Sequence, residues 1–152
     1  MAGKKFQFKL ESVRQLREHA AQKAKRELAY SMKRRRAQEV RVKDAAERLK
    51  TAAAYTIPDG QQRAASFQRL ETARQTAHQA LRDARKELAA CQEEERQFRL
   101  TLRERQAELE AMETLRESAF QAHQQAEAMA ESKRIEEQAL DAFRRKDRTY
   151  ER

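Results

Sequence analysis

Tyr55-Thr56-Ile57-Pro58-Asp59-Gly60 is the one strong break in a sequence of 152 residues. Pro fixes φ, Asp caps or turns, and Gly reaches positive φ, so the three together read as a turn. Pro58 is the only proline, and residues 10–55 and 61–152 contain neither proline nor glycine. A fold of many elements needs more punctuation than this. The chain is read as helix, short turn, longer helix: an all-α, long antiparallel two-helix coiled-coil hairpin. The expected bounds are helix 10–55, turn 56–61 and helix 62–147, in a single hairpin over 1–152. At 1.5 Å per residue the helices would be roughly 70 and 130 Å long. Neither is stable in water without a partner helix.

The composition agrees. Charged residues make up 39% of the chain and aromatics 6%, with no Trp. Ala, Glu, Arg, Gln, Leu and Lys dominate, and these residues lose little freedom in a helix. The apolar material can cover a seam but not fill a globule. In the second helix the seam is read through Phe67, Leu70, Ala77, Leu81, Ala84, Leu88, Cys91, Phe98, Leu102, Leu109, Met112, Ala119 and Ala126. With Arg74, Glu95, Arg105, Arg116 and His123 counted in, the spacing alternates three and four, a heptad that implies a left-handed supercoil. In the first helix the stripe reads Leu10, Val13, Ala20, Ala24, Leu28 and Met32. It breaks at Lys33-Arg34-Arg35-Arg36 and resumes at Val42, Ala45, Leu49 and Ala52.

A hairpin centred on Pro58 pairs residues whose numbers add to about 117. That register sets Lys23, Lys25 and Arg26 beside Glu93-Glu94-Glu95. It sets Lys33, Arg34, Arg35 and Arg36 near Arg82, Arg85 and Lys86, so an uncancelled basic band is expected there. It also leaves everything beyond about residue 107 without a counterpart. Exposed apolar residues on such an overhang mark an interaction surface.

The formal net charge is +9, and residues 1–56 hold 16 Lys/Arg against 6 Asp/Glu. Residues 91–142 hold 7 basic and 13 acidic residues. A basic half suits nucleic acid or anionic lipid, an acidic partner stretch, or plain solvent exposure. The lone Cys91 excludes an internal disulfide and reads as a small apolar seam residue. No apolar run is long enough for a membrane span, and the basic N-terminus lacks a signal peptide's apolar segment. A cytoplasmic protein is expected. There is no phosphate loop, HExxH or nucleophile elbow. His19, His78 and His123 are far apart. No catalytic residue, metal site or cofactor is assigned, and no enzyme activity is expected. Phe6 and Phe8 alternate like an extended arm that orders on binding.

Two stretches carry a family resemblance. Phe6-Gln-Phe8-Lys-Leu10-Glu11-Ser-Val13-Arg-Gln-Leu16-Arg17-Glu18, then Ala24 and Leu28-Ala29, resembles the opening of the FliJ family, the soluble stalk of the flagellar type III export ATPase. Leu115-Arg116-Glu117 and Glu136-Glu137-Gln138-Ala-Leu140-Asp141 before a basic tail resemble its close. The resemblance implies a fold similar to the central coiled coil of the rotary ATP synthase gamma subunit. It implies that the end with both termini enters the hexameric export ATPase ring (FliI-like) and activates it. The turn end would contact the cytoplasmic domain of the export gate (FlhA-like), and the protein would escort export chaperones. Its place would be the cytoplasm, peripheral to the inner membrane through these partners. Tyr55 and the Leu70–Ala73 segment match the family's gate-binding patch. Phe67 stands one place from the aromatic of some members. The expected gate-binding set is therefore Tyr55, Phe67, Leu70 and Ala73. For the ATPase ring the expected set is Leu10, Val13, Leu16, Leu140 and Phe143, with ordinary seam packing as the alternative. Competing readings are the equivalent stalk of an injectisome, a basic nucleic-acid-binding coiled coil, and a two-chain scaffold in which Pro58 is only a kink. Nucleic acid is not an expected partner.

Overall fold

The computed structural model describes the backbone of residues 5–150 and the side chains of residues 5–145. It holds two helices, α1 (Glu11–Ala54) and the longer α2 (Ala64–Tyr150), which pack against each other as a helical hairpin. Among the described residues there is no strand. The chain divides into two compact units. One unites the residues up to His19 with those from Ala107 on; the other is Ala20–Gln106.

In the unit Ala20–Gln106 the seam is thin. Its buried apolar residues are Ala21, Ala24, Leu81 and Cys91. Around them the seam of α2 follows the expected three-four repeat, with Leu70, Arg74, Ala77, Ala84, Leu88, Glu95, Phe98, Leu102 and Arg105 all half-buried or buried. The seam of α1 differs from its expected course. It runs Ala21, Ala24, Leu28, Ser31, Arg35, Gln38, Val42, Ala45, Leu49 and Ala52, unbroken. It passes through polar residues where an interruption was expected, so the basic run does not break the repeat but supplies one of its members.

The pairing register also differs. Arg34 meets Glu94 at 2.7 Å and Arg41 meets Glu87 at 3.8 Å. Their numbers add to 128, not 117, a slip of roughly three helical turns. The cause lies in the connection. Tyr55–Arg63 is not a tight reversal. Gln61 N–H donates to the Pro58 carbonyl at 3.2 Å, closing a β-turn with Gly60 at φ +87°. That φ sits in the third position of a type II turn, where glycine is favoured. Ile57 is half-buried, while the rest of the connection is exposed.

Arg74 fixes the result. Its Nε donates to the Ala52 carbonyl at 3.1 Å, and its terminal nitrogen to Ala53 at 3.2 Å and Tyr55 at 3.1 Å. The last turn of α1 has no basic residue of its own. A guanidinium from α2 therefore satisfies its end carbonyls and complements its dipole. The end of α1 thus lies level with Arg74, ten residues into α2.

In the unit that holds both termini, Arg17 meets Glu108 at 2.7 Å and Arg116 approaches Glu11 at 3.8 Å. The same register therefore holds here. The overhang expected from residue 107 is corrected, because α1 covers α2 as far as Arg116. The segment before α1 covers more. Phe6 stacks edge-on against Phe120 (centroids 5.2 Å) and His123 (5.5 Å). The arm has no regular secondary structure, Phe6 and Phe8 are half-buried with Gln7 exposed between them, and Phe6 is already engaged within the chain.

Candidate docking surfaces

The flank of the seam decides what the surface of the unit Ala20–Gln106 offers. On α1 the residues just before the seam pairs recur every seventh position as Arg34, Arg41, Arg48 and Tyr55. On α2 the facing series is Glu94, Glu87, Ala80 and Ala73. The two glutamates bridge to arginine. The two alanines cannot, and there the flank opens. Arg41, Asp44, Arg48, Ala73, Thr76 and Ala80 line one groove of about 930 Å³. Continuous with it, Arg48, Thr51, Tyr55, Ile57, Leu70 and Ala73 line a second of about 830 Å³. The connection closes its end through Ile57 and Gln61.

Three residues of the expected gate-binding set, Tyr55, Leu70 and Ala73, line this groove together. Phe67 does not line it and is 54% exposed. Asp44, Arg48, Thr51 and Ala80 are walls that the sequence reading missed. The heptad spacing of Glu94, Glu87, Ala80 and Ala73 was the signal that could have found them.

The bridged stretch is polar to its centre. Glu95 is only 4% exposed in the seam. It accepts from Arg35 Nε at 2.6 Å and from Arg99 at 2.5 Å, and Arg35 also pairs with Glu39. The hydrogen bond that Arg35 donates to Glu95, supported by Glu39, holds the guanidinium above its usual pKa. Ser31 Oγ and Gln38 Oε1, seam atoms of α1, are buried without a partner. Unsatisfied polar atoms of this kind each cost about 1–3 kcal/mol. On the outer surface of α2, Arg96 and then Gln97 donate to Glu93 and depress its carboxyl pKa to about 2.

The expected basic band is therefore corrected in half. Arg34 and Arg35 are ion-paired to glutamates of α2, because the register brings glutamates rather than Arg82, Arg85 and Lys86 alongside. Lys33 and Arg36 remain exposed.

In the unit with both termini, the expected ring-binding residues do not converge. Leu10, Val13 and Leu16 are 44, 37 and 66% exposed, and Leu140 and Phe143 are 57 and 66% exposed. Arg14 and Arg17, not Val13, occupy the seam phase, and both are half-buried. Glu11 starts α1 and is held below the usual carboxylate range by the Arg14 guanidinium, against a desolvation that raises it. The start of α1 lies beside Arg116. Leu140 is 24 residues further along α2, roughly 35 Å. These residues form two separate apolar patches. Met129 and Ile135, 67 and 57% exposed, lie between Arg116 and Leu140 in sequence.

Among the described residues there is no cluster of three or more side chains fit for a metal ion. No described helix is long and apolar enough to cross a membrane. The three histidines stay apart: His19 and His78 are exposed, and His123 packs on Phe6. Cys91 is a buried free thiol in the seam. No family profile, curated protein or solved structure matches this chain.

Proposed function

We propose that this chain is a stalk protein of a type III export apparatus, a binding protein with no chemistry of its own. The observation that carries the reading is the groove beside Tyr55. Tyr55, Leu70 and Ala73 resemble the gate-binding patch of the FliJ family in sequence, and they line one groove. Shape and chemistry support it. The groove is apolar at its floor, through Ala52, Leu70, Ala73 and Ile57, with Asp44, Arg48 and Arg69 around it. An apolar floor with a polar rim is the ordinary anatomy of a protein-binding surface. The occupant under this reading is the cytoplasmic domain of the export gate.

The unit with both termini would enter the export ATPase ring. Its exposed apolar residues support that role as two contact patches rather than one: Leu10, Val13 and Leu16 on α1, and Leu140 and Phe143 on α2. Contacts at two levels bias the ring's conformations to the extent that they are better made in one conformation than in another. Escort of export chaperones and attachment to the membrane periphery belong to the same proposal.

The test is reconstitution. ATP hydrolysis by the export ATPase is measured with and without this chain, and its binding is followed by pull-down. The expected result is saturable stimulation, lost in a variant carrying Leu140→Asp and Phe143→Asp with unchanged helix content. An unstimulated ATPase that does not retain the chain would end the reading.

A further inference from the structure

In a two-stranded coiled coil each helix has one seam and its opposite face belongs to water. α1 departs from that pattern between Arg26 and Lys43. Directly opposite its seam runs a second three-four repeat: Arg26, Tyr30, Lys33, Ala37 and Val40. All five are exposed, and Tyr30 and Val40 are 66% and 56% exposed. Beside the repeat stand Ala29, Arg36 and Lys43, also exposed. The face thus carries an apolar line of Tyr30, Ala37 and Val40 set among four cations. None of Arg26, Lys33, Arg36 and Lys43 is ion-paired among the described residues. The contrast with Arg34, Arg35 and Arg41 is direct, since those three are satisfied by α2.

We infer that this outer face of α1 is a docking surface for a third helix, supplied by an acidic, amphipathic partner protein. Three features choose that occupant. First, the repeat has helix-on-helix periodicity. Lys33 follows Arg26, and Lys43 follows Arg36, at seven-residue intervals of roughly 10 Å, the interval at which a partner helix presents its own heptad of acids. Second, Ala29 and Ala37 are small, so a helix backbone can approach while Tyr30 and Val40 are covered on either side of Ala37. Third, the four unpaired cations call for carboxylates, which fix partner and orientation as flanking charges do in coiled coils. A nucleic acid backbone would satisfy the cations and leave Tyr30 and Val40 wet. A membrane would need a broader apolar face than two large side chains provide.

The surface is distinct from the groove beside Tyr55 and from the apolar patches near the termini, and it stands whether or not the export-stalk reading holds. It also explains why an exposed tyrosine and valine sit in the most cationic stretch of the chain, where solvation alone would favour more charge.

The test uses the full chain and a synthetic probe. The probe is a four-heptad peptide with leucine at the a and d positions and glutamate at e and g, whose own acids keep it from pairing with itself. Titration by fluorescence anisotropy, with circular dichroism at 222 nm, is expected to show salt-sensitive binding and a gain of helix. Reversing Lys33, Arg36 and Lys43 to Glu is expected to weaken binding by at least about tenfold, while the chain keeps its helix content because all three positions face solvent. Tyr30→Ser with Val40→Ser is expected to weaken it by about fivefold. A probe of the same composition with its heptad scrambled is expected not to bind. Equal binding by the scrambled probe, or no loss in the Tyr30/Val40 pair, would reduce the face to charge alone and overturn the inference. Binding of a short DNA duplex in place of the peptide would overturn it too.

Discussion

Arg34 and Arg41 meet Glu94 and Glu87 across the helix pair, whereas Arg48 and Tyr55, one and two heptads further on, face Ala80 and Ala73 in an open groove. The seam beneath both stretches keeps one three-four repeat. On α1 Tyr55 takes the place of arginine at the last step, and what differs on α2 is a single flanking side chain per heptad. Glutamate there closes the surface with an ion pair, and alanine leaves a floor that another protein can fill. The seam that pairs the helices and the flank that closes or opens the surface are therefore separate positions of the same repeat, so one can change without the other.

The sharpest way to break this comparison is in the bridged stretch. Glu95→Ala removes the buried carboxylate shared by Arg35 and Arg99 and leaves the half-buried Arg35 with Glu39 alone. Breaking a buried pair from one side is strongly destabilising. Thermal melting followed at 222 nm is expected to fall by about 10 °C. A fall of under about 2 °C would mean the polar layer does not hold the pairing. The next effect lies in the open stretch. Arg74→Ala uncaps α1 and is expected to cost about 1–2 kcal/mol in urea unfolding. Arg74→Lys is expected to recover little, because an ammonium does not offer the planar fork that reaches three carbonyls. Full recovery with lysine would reduce the contact to simple charge.

The smallest effect is local and pH-dependent. Arg96, seconded by Gln97, lowers the Glu93 carboxyl from 4.5 to about 2. A carboxyl depressed in the folded state stabilises that state above its unfolded value, and the contribution fades as pH falls from 4.5 towards 2. The pair is exposed, so salt screens it. Helix loss on acidification through that window is expected to be slightly larger in the parent than in Glu93→Gln, and the difference is expected to vanish in high salt. An identical acid titration would show that the pair does not feel folding.

Much of the fold is legible in the sequence, and the unread parts share a cause. The break at Pro58 and the two long uninterrupted stretches give the two helices to within a few residues. The seam of α2 reads correctly from Leu70 to Met112 because Leu81, Leu88, Phe98, Leu102 and Leu109 are large and fix the phase, whereas Phe67, Arg116 and Ala126, read into the same seam, are exposed. The seam of α1 reads correctly only at Ala24, Leu28, Val42, Ala45, Leu49 and Ala52, because its other members are small or polar: Arg14, Arg17, Ala21, Ser31, Arg35 and Gln38. Meanwhile Val13, Leu16, Tyr30 and Val40, which look like seam residues, are exposed. Apolar pattern locates a seam only where the seam is apolar. The pairing register departs from the one a symmetric turn implies, because the connection is not symmetric. No local signal says that Arg74 will cap the helix before it, and that contact sets the stagger. The slip then carried over to the site. It hid the pairing of Arg34 and Arg35 with Glu94 and Glu95, and it placed the overhang too early. Tyr55, Leu70 and Ala73 came from resemblance, which does not depend on register, and they do come together.

The proposed function rests on the groove left open by Ala73 and Ala80 being where this chain meets the export gate. The most direct measurement is a calorimetric titration of the gate's cytoplasmic domain with the parent chain and with Ala73→Glu. The substitution continues the glutamate series of α2 into the groove without touching the seam. The account predicts saturable binding by the parent and none by Ala73→Glu at unchanged helix content. Equal affinity for the two chains, or no binding by the parent, would contradict it.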